Sequence, residues 1–518
     1  MKLLTSYCYD DVLLRPRHSD IRSRSEISLH TNLGYGTNKI QLKIPLISSP
    51  MDTVTGDKMA IQMALCGGLG IIHRFQSITE QKQQIRNTKR YLQYIFTDPI
   101  TVSKSSTIEK VNQIRKMTNI KTLFVVDKNN NTIGLCTNRD TFLNDSDDEV
   151  VEDKMTSYEE LYKVFLTEDE FKWLQENQTS EKFRDFMRRI QNIMKKYKVQ
   201  KIPIYLEQRT TMNHDEVMKT KQLLGMATKN SVDHYFHNRE KACLDKYGRL
   251  CVGAAIGMKD GWQERVMACI EEGVDLLCVD VANGHNSHTI EIIRQIKKLA
   301  PNVIIMGGNV CTGEGAYNLA LAGCHCIRVG IGSGSICSTR LQTGIGFGQW
   351  SSVVECYEKL NKQYTDNRQQ VQLISDGGSL GKTGNKVKAL ASGASCIMLG
   401  RSLAGCTESP GTVVVRNGKS MKYFRGMAST MATLSHNERK GEQQKQLGTA
   451  EGVDGIIELK GDLEGIINQI SGGLRSGLSY LGVNTIYDLH ELIRKDEIEW
   501  GLCTSIGMNE TGIRIKQM

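Results

Sequence analysis

The sequence lacks several features that would assign its class at once. It has only 7 prolines and 6% aromatic residues in 518, and no run of about 18 apolar residues that would span a membrane. Its 15 cysteines include no C-x-x-C pair, and no secretory pattern begins the chain, so we expect a cytoplasmic protein with free thiols. The net charge of +9 is spread along the chain without basic blocks, so nucleic acid is not an expected partner. A G-x-G-x-x-G fingerprint of a Rossmann domain is missing as well.

What the chain does contain is a repeating alternation of strand-like and helix-like segments. Apolar runs that each end in Gly, Asp or Ser recur from about residue 250: "LCVGAAIG", "DLLCVDVA", "NVIIMGGNV", "HCIRVGIG", "VQLISDGG" and "SCIMLGRS". Amphipathic stretches separate them, which predicts a parallel sheet covered by helices on both faces. Two earlier strands, in "KIPLISSPMDTVT" and "GGLGIIHRF", bring the number to eight. We therefore predict an α/β fold, a (β/α)8 TIM barrel whose functional residues lie at the C-terminal strand ends.

Residues 96–236 interrupt this alternation. They contain a strand, a helix and a hairpin around "DKNNNT", followed by a looser copy that begins near "FRDFMRRIQNIMKKYKVQKIPIYLE". The stretch 151–182 is interpreted as a polar connection between the copies. An internal repeat inserted into a barrel is typical of a regulatory module. The predicted domains are the first part of the barrel at 1–95, the insert at 96–236, and the rest of the barrel at 237–518.

The loop "GIGSGSICSTR", residues 330–340, follows one predicted strand. Its glycines and Ser335 would offer backbone amides and a hydroxyl to an anion, and its carbonyls would equally suit a monovalent cation. Donors around Cys337 would stabilise its thiolate and make it a nucleophile. The alternative interpretation is a strand-to-helix turn with an inert cysteine, and the loop alone does not decide between the two.

Two consecutive strand ends carry a second candidate site. "LISDGGSLGKTGNKVKAL" places Asp376 and Gly378 after one strand, and "CIMLGRSLAG" places Gly400 and Arg401 after the next. Adjacent glycine-rich turns of this kind form the phosphate site of many barrels. Asp376 would bind the two hydroxyls of a ribose, or it would only cap the following helix.

Another strand end, "CVDVANGH", places Asp280 and Asn283 on the same predicted rim. These side chains would bind the ribose or the carboxamide of a cofactor, whereas His285 in the same turn is a weaker candidate for a ligand or a base.

The polar segment from about residue 435 to 449 has little strand or core character. It is either a solvated loop or a flap that closes over a substrate and excludes water. Glu451, directly after it, would then act as an acid or base, although an isolated surface glutamate often has no such role.

Together these motifs resemble those of the IMP dehydrogenase/GMP reductase family. The resemblance covers roughly 1–95 and 240–485, and its most specific pieces are "YDDVLLRPRHSDIRSRSE", "IPLISSPMDTVT", "GIGSGSICSTR", "ISDGG" and "RGMAS". It implies that the insert is a tandem CBS (Bateman) domain that binds regulatory purine nucleotides, with Thr137 and Asp140 of "TNRD" on a nucleotide ribose. The second copy, "ATKNSVD", departs from that motif.

The resemblance also implies a chemistry and a set of roles. Cys337 attacks C2 of a purine nucleotide, and hydride passes between C2 and a nicotinamide. Ser335, Gly378 and Gly400 contact the phosphate, but Ser333 and Arg401 replace the residues that usually stand at their positions, so the phosphate site is expected to be rearranged. The remaining implied contacts are Asp376 with the ribose, Met427 and Ala428 with the base edge, Ser49 and Met51 with the purine pocket, and the carbonyls of Gly332, Gly334 and Cys337 with K+ or another monovalent cation.

The direction of hydride transfer separates the two enzymes of the family. The dehydrogenase activates water with an Arg-Tyr pair in its flap, whereas here Arg439 is followed by Lys440 and the flap has no tyrosine. "VDVANGH", "TRLQTGIGFGQWSSVVECYE" and "KYFRGMASTMA" resemble the reductase. We predict an NADPH-dependent GMP reductase in which Thr339 and Glu451 handle the leaving ammonia; the alternative is an NAD-dependent IMP dehydrogenase, towards which "IPLISSPMDTVT" and "GGLGIIH" lean. The family also implies a homotetramer, which stacking would extend to an octamer.

Overall fold

The computed structural model describes residues 3–507 except 93, 98, 119, 142–147, 179, 210–216, 238, 260, 364–370, 433, 435–448 and 505–506. The chain divides into two compact units. The first comprises 1–91, 241–245 and 250–518, and the second comprises 92–240 and 246–249. The predicted insert, 96–236, falls within the second unit. Across the described ranges, none of the helices combines the length and the apolar character needed to cross a bilayer.

The first part of the chain supplies two barrel strands and the segments that precede them. Strands β4 and β5 are buried along their whole length, and helix α1 between them begins after Gly56. This agrees with the strand–helix–strand pattern predicted for this part of the sequence. The elements are β1 (Val12–Leu14), β2 (Thr31–Tyr35), β3 (Asn38–Leu42), β4 (Leu46–Ser48), α1 (Asp57–Leu65), β5 (Leu69–Ile72) and α2 (Ile78–Tyr91).

The second unit contains two small sheets with the same internal order. In each sheet the first strand runs parallel to the second, and the second pairs antiparallel with the third. The sheets are β6-β7-β8-β9 and β10-β11-β12. Their elements are β6 (Thr101–Ser103), α3 (Ile108–Thr118), β7 (Thr122–Val126), β8 (Thr132–Thr137), β9 (Thr156–Ser157), β10 (Val164–Leu166), α4 (Glu168–Glu176), α5 (Glu181–Tyr197), β11 (Lys201–Arg209), β12 (Val217–Thr228) and α6 (Lys229–His237).

The second copy of this repeat begins earlier than the sequence interpretation placed it. Residues 151–182 contain β9, β10 and α4, and Phe171 and Leu174 of α4 are buried in the core around Phe183. The sequence signal for the start of helix α4 is a capping box. The Thr167 hydroxyl accepts from Glu170 N at 3.2 Å, and the Glu170 carboxylate accepts from Thr167 N at 3.1 Å, which fixes the start of α4.

The rest of the chain completes the first unit with alternating strands and helices, followed by a small sheet and two C-terminal helices. Its elements are β13 (Val252–Ile256), α7 (Trp262–Glu271), β14 (Leu276–Asp280), α8 (Ser287–Leu299), β15 (Ile304–Val310), α9 (Gly313–Leu321), β16 (Cys326–Val329), α10 (Thr339–Thr343), α11 (Gln349–Gln363), β17 (Gln372–Asp376), α12 (Thr383–Ala391), β18 (Cys396–Leu399), α13 (Arg401–Ala404), β19 (Val413–Arg416), β20 (Lys419–Arg425), β21 (Asp454–Glu458), α14 (Leu463–Tyr480), α15 (Ile486–Arg494) and β22 (Trp500–Leu502).

Eight parallel strands close into a barrel in the order β13-β14-β15-β16-β17-β18-β4-β5. The predicted TIM barrel is thus confirmed. Strand β5 pairs with β13, so the two early strands complete the ring that the later six begin. The strands read as continuous apolar runs because both of their faces are buried, and each buried Val, Leu or Ile contributes about 1.5–3 kcal/mol relative to an exposed one.

An antiparallel sheet of β19, β20 and β21 follows the last barrel strand. Residues 426–428 come directly after β20, and Glu451 comes three residues before β21. This small sheet therefore carries the predicted base-edge residues and the predicted acid or base.

Candidate active site

A cavity of about 350 Å³ opens at the C-terminal ends of the barrel strands. That volume suits a nucleotide-sized ligand. The cavity brings together nearly all of the residues that the sequence singled out from distant parts of the chain. Those that line it are Ser49, Met51, Asp280, Gly332, Gly334, Ser335, Cys337, Thr339, Asp376, Gly378, Gly400, Arg401, Met427, Ala428 and Glu451.

The cysteine loop connects β16 to α10 and lies close to the end of β17. Gly330 and Gly332 adopt φ values of 143° and 73°. A Cβ on Gly330 would lie 2.1 Å from the Asp376 carbonyl oxygen, so only glycine fits there. This close approach places Cys337, which is half-buried, on the cavity wall.

Cys337, Thr339 and Glu451 form a continuous chain of polar contacts. The Cys337 Sγ lies 3.1 Å from the Thr339 Oγ1, and that hydroxyl donates to the Glu451 Oε2 at 2.8 Å. The backbone holds the pair in register, since Ser338 N donates to Glu451 O at 2.9 Å and Val453 N donates to Ile336 O at 3.0 Å. The arrangement provides a thiol next to a hydroxyl that is itself bonded to a carboxylate, which is a path for a proton.

Asp376, at the end of β17, is oriented by two donors. Its Oδ2 accepts from the Arg328 Nη2 at 2.8 Å and from the Asn309 Nδ2 at 2.9 Å. Both bonds use the same oxygen, and the other carboxylate oxygen accepts no hydrogen bond from the residues that the structure describes, so it is available to a ligand in the cavity. A carboxylate held in this way suits vicinal hydroxyl groups such as those of a ribose.

A buried arginine links Asp376 to Asp280, and sequence reasoning missed it. Arg328 lies in β16 with its side chain 6% exposed, and its Nη1 donates to the Asp280 Oδ1 at 2.7 Å. Arg74 approaches the other oxygen of Asp280 at 3.5 Å. Burial alone would raise the pKa of Asp280, but the guanidinium groups of Arg328 and Arg74 outweigh it and lower the pKa. An arginine inside the apolar run "CIRV" was a usable signal, because a buried cation requires acidic partners.

The side of the cavity that the sequence predicts to bind phosphate is formed by β18, α13 and the end of β4. A Cβ on Gly400 would lie 3.2 Å from the Met51 Sδ, so the β18 turn runs close to the β4 end. Arg401 is exposed at the start of α13, and Ser402 beside it also lines the cavity. A guanidinium and backbone amides on one wall suit a phosphate dianion.

The predicted base-edge segment, residues 426–428, is held against the loop after β4. Asp52 N donates to the Met427 Sδ at 3.3 Å, and the Arg425 Nε donates to the Asp52 Oδ2 at 2.9 Å. This ion pair is 20% and 10% exposed at its two ends, so it fixes the 426–428 segment against the barrel.

Some predicted residues lie elsewhere. Asn283 is exposed, does not line the cavity, and its Oδ1 accepts from His285 N at 3.1 Å. Its cofactor role stays a prediction.

In the second unit, Thr137 N and Oγ1 both donate to the Asp140 Oδ2, at 2.6 and 2.8 Å. Most of the predicted flap, with Arg439 and Lys440, falls outside the described residues.

The cysteine loop has carbonyl groups that fit a monovalent cation. Gly334 O accepts from Cys337 N at 3.2 Å, whereas the Gly332 and Cys337 carbonyls accept no backbone hydrogen bond from the residues that the structure describes. Free carbonyls of this kind fit a monovalent cation. Over the same residues, no cluster of His, Cys, Asp and Glu side chains is arranged for a divalent metal.

Comparisons with known proteins identify the family to which the chain belongs. The model of the IMP dehydrogenase / GMP reductase domain matches residues 6–513. The chain is 36% identical to the inosine-5'-monophosphate dehydrogenase of Nitrosopumilus maritimus over 95% of both chains, and 37% identical to the GMP reductase of Leishmania major over 94% and 93%. A solved structure of a GMP reductase variant from Trypanosoma brucei, in complex with guanosine 5'-monophosphate, superposes with a TM-score of 0.83 at 32% identity, covering 99% and 98% of the two chains.

The barrel and these comparisons show that the chain is a TIM-barrel oxidoreductase. It belongs to the IMP dehydrogenase/GMP reductase family, whose members act in purine metabolism with a nicotinamide nucleotide as cofactor. The family that the sequence motifs resembled is thus confirmed over nearly the whole chain.

Proposed function

We propose that the protein is an NADPH-dependent GMP reductase, which converts GMP to IMP and ammonia. The observation that carries the proposal is the Cys337–Thr339–Glu451 chain, in which the Thr339 hydroxyl contacts the thiol and donates to a carboxylate. A reductase must protonate a leaving amine, and this path supplies the proton. A dehydrogenase must instead activate water, and the 435–449 segment has no tyrosine to pair with Arg439.

In the proposed reaction the Cys337 thiolate attacks C2 of GMP, and a covalent adduct forms. Thr339, backed by Glu451, passes a proton to the 2-amino group, which leaves as ammonia. When bound, the nicotinamide cofactor would supply the hydride that C2 takes up, after which Cys337 leaves C2 as the free thiolate and IMP is released. Overall, GMP takes up one hydride and two protons and yields IMP and an ammonium ion.

The remaining contacts follow from the cavity walls. Asp376 binds the ribose through its free oxygen, and Ser335, Gly378, Gly400 and Arg401 bind the phosphate. For the cofactor, the part of the cavity wall lined by Arg74, Phe75 and Asp280 offers a guanidinium group, an aromatic ring and a carboxylate.

Three further features belong to the same proposal. K+ or another monovalent cation would bind the Gly332, Gly334 and Cys337 carbonyls. The second unit, as a tandem CBS domain, would bind a regulatory purine nucleotide near Thr137 and Asp140; a GMP reductase structure from Trypanosoma brucei in complex with guanosine 5'-triphosphate, at 29% identity and a TM-score of 0.73, supports a nucleotide ligand. Assembly would give a homotetramer, with stacking to an octamer.

The deciding experiment supplies the purified protein with GMP plus NADPH, and separately with IMP plus NAD, and follows nicotinamide absorbance in both directions. We expect NADPH oxidation that requires GMP and releases ammonia. Reduction of NAD with IMP, without NADPH oxidation, would overturn the reductase assignment.

The second candidate function is an NAD-dependent IMP dehydrogenase. It is favoured by the strand motif "IPLISSPMDTVT" and by relatives that carry that name at similar identity. In this case Arg439 would have to activate water without its usual tyrosine partner.

A further inference from the structure

Lys422 is a buried ammonium whose hydrogen bonds, among the described residues, all go to neutral oxygens. It lies on β20 with 2% exposure. Its Nζ donates to the carbonyls of Cys406 at 2.7 Å, Thr407 at 3.1 Å and Ser409 at 2.6 Å, and to the Ser409 Oγ at 3.0 Å. Burial lowers the pKa of Lys422, and a buried charge of this kind persists only when it is fully hydrogen-bonded. The oxygens of residues 406–409 therefore surround the Lys422 ammonium in the way that carbonyl oxygens surround a bound monovalent cation.

On one side, this cage is continuous with the phosphate wall of the cavity. The Ser409 hydroxyl contacts the Ala404 carbonyl at 2.7 Å, at the end of α13. Lys460 Nζ lies 3.4 and 3.3 Å from the Arg401 and Ser402 carbonyls of the same short helix. A shift of the 406–409 loop would thus move the turn that begins at Gly400.

On the other side, Lys422 belongs to the strand that leads to the base-edge and proton-handling residues. Strand β20 continues from Lys422 to Arg425, and Met427 follows two residues later. Lys422 pairs with Ile457 and Arg425 pairs with Asp454 of β21, which begins three residues after Glu451. The ammonium is therefore a link between the wall proposed to bind the phosphate and the sheet next to Glu451, in addition to the backbone hydrogen bonds of Lys460 N to Gly405 O and of Thr407 N to Gly461 O.

We propose that Lys422 is a positioning residue for the hydride-transfer reaction. Its ammonium serves as a built-in cation that sets the distance between the phosphate wall and the Met427–Glu451 segment. This inference rests on the proposed function, because it concerns the placement of the Thr339–Glu451 pair relative to a bound nucleotide. Lys422 does not line the cavity, so it acts through backbone position and not by contact with the substrate.

The test replaces the side chain and then restores its charge. Lys422→Ala should lower kcat by about 10²-fold, which is the cost of a misplacement of about 1 Å. The four non-hydrogen atoms that this change removes are those of n-propylammonium, so kcat should recover when propylammonium is added. The KM for the nucleotide should change less than kcat. Lys419→Ala is the matched control, because Lys419 lies on the same strand, is 69% exposed, and contacts the Glu458 carboxylate at 3.4 Å. The kcat of Lys419→Ala should equal that of the wild type and should not change when propylammonium is added.

A second readout keeps the inference independent of catalysis. Hydrogen–deuterium exchange of residues 424–428 and 451–458 should accelerate in Lys422→Ala and slow again with propylammonium, even if the wild type catalyses neither direction and the proposed function is wrong. Wild-type kcat in Lys422→Ala, or unchanged exchange in both segments, would overturn the inference. If Lys422→Ala does not fold, Ser409→Ala removes one of the four oxygens from the cage and must lower kcat; an unchanged kcat would overturn it equally.

Discussion

Arg328 offers the sharpest test of the electrostatics of the site. Its guanidinium bonds Asp280 at 2.7 Å and Asp376 at 2.8 Å, with side-chain exposures of 6%, 17% and 19%. Arg328→Met keeps most of the volume and removes the charge. Because one partner of a buried ion pair is then missing, we expect the free energy of unfolding of the barrel to fall by about 3–5 kcal/mol at neutral pH.

The sign of the pH dependence follows from Asp280. In the wild type its pKa is lowered, so its contribution to stability is present above its unfolded-state pKa of about 3.9 and is lost as the pH falls through the folded-state pKa. In Arg328→Met, Arg74 is the remaining arginine that opposes the effect of burial on Asp280. We therefore expect the pKa of Asp280 to rise above its unfolded-state value. A raised carboxyl pKa costs stability as the pH rises above about 3.9. The deficit of the variant should therefore be largest at neutral pH and shrink towards pH 4.

The assay must separate the two units, since a chain of two units need not unfold in one transition. Of the 4 tryptophans, only Trp173 lies in the second unit, so a Trp173→Phe background makes tryptophan fluorescence a probe of the barrel. Urea denaturation at several pH values then gives the deficit. Arg74→Met, which removes a longer contact from a side chain that is 26% exposed, should cost less. A deficit below about 1 kcal/mol, the value typical of a surface pair, or one that does not depend on pH, would refute the reasoning.

Three further predictions follow from the cavity. Cys337→Ala should abolish turnover but leave GMP binding, measured by calorimetry, largely intact; full activity would rule out the covalent mechanism. Glu451→Gln keeps a hydrogen-bond acceptor for Thr339 but loses the charge, so kcat should fall by about 10²–10⁴-fold with little change in nucleotide affinity, and an unchanged kcat would remove Glu451 from the proton path. Gly330→Ala places a Cβ 2.1 Å from the Asp376 carbonyl, so both nucleotide binding and the unfolding midpoint should drop. Gly384→Ala, whose Cβ meets nothing within 4 Å, should not lower the midpoint, and equal losses in the two variants would contradict the steric argument.

Local sequence patterns were sufficient to predict the barrel and most of the residues that line the cavity. Strands β13 to β18 are buried on both faces, so they appear in the sequence as apolar runs, and their polar ends identify the rim. The capping box at Thr167 and Glu170 was equally local, and overlooking it led to the polar-connection interpretation of 151–182. Local signals do not give the direction of a side chain within such a turn: Asn283 follows a strand end, and its amide oxygen accepts from His285 N.

By itself, the sequence determined the alternation that closes the barrel, the glycines that allow tight turns at the strand ends, and the presence of a cysteine in one of those turns. These are properties of neighbouring residues, because periodicity and turn chemistry act over a few positions. Only the tertiary structure decided that the Thr339 hydroxyl bonds a carboxylate 112 residues away, that Arg328 joins Asp280 to Asp376, and that Lys422 fills a cage of carbonyls. Such contacts depend on the register of the closed barrel and on the path of the chain around it, and no local pattern encodes either.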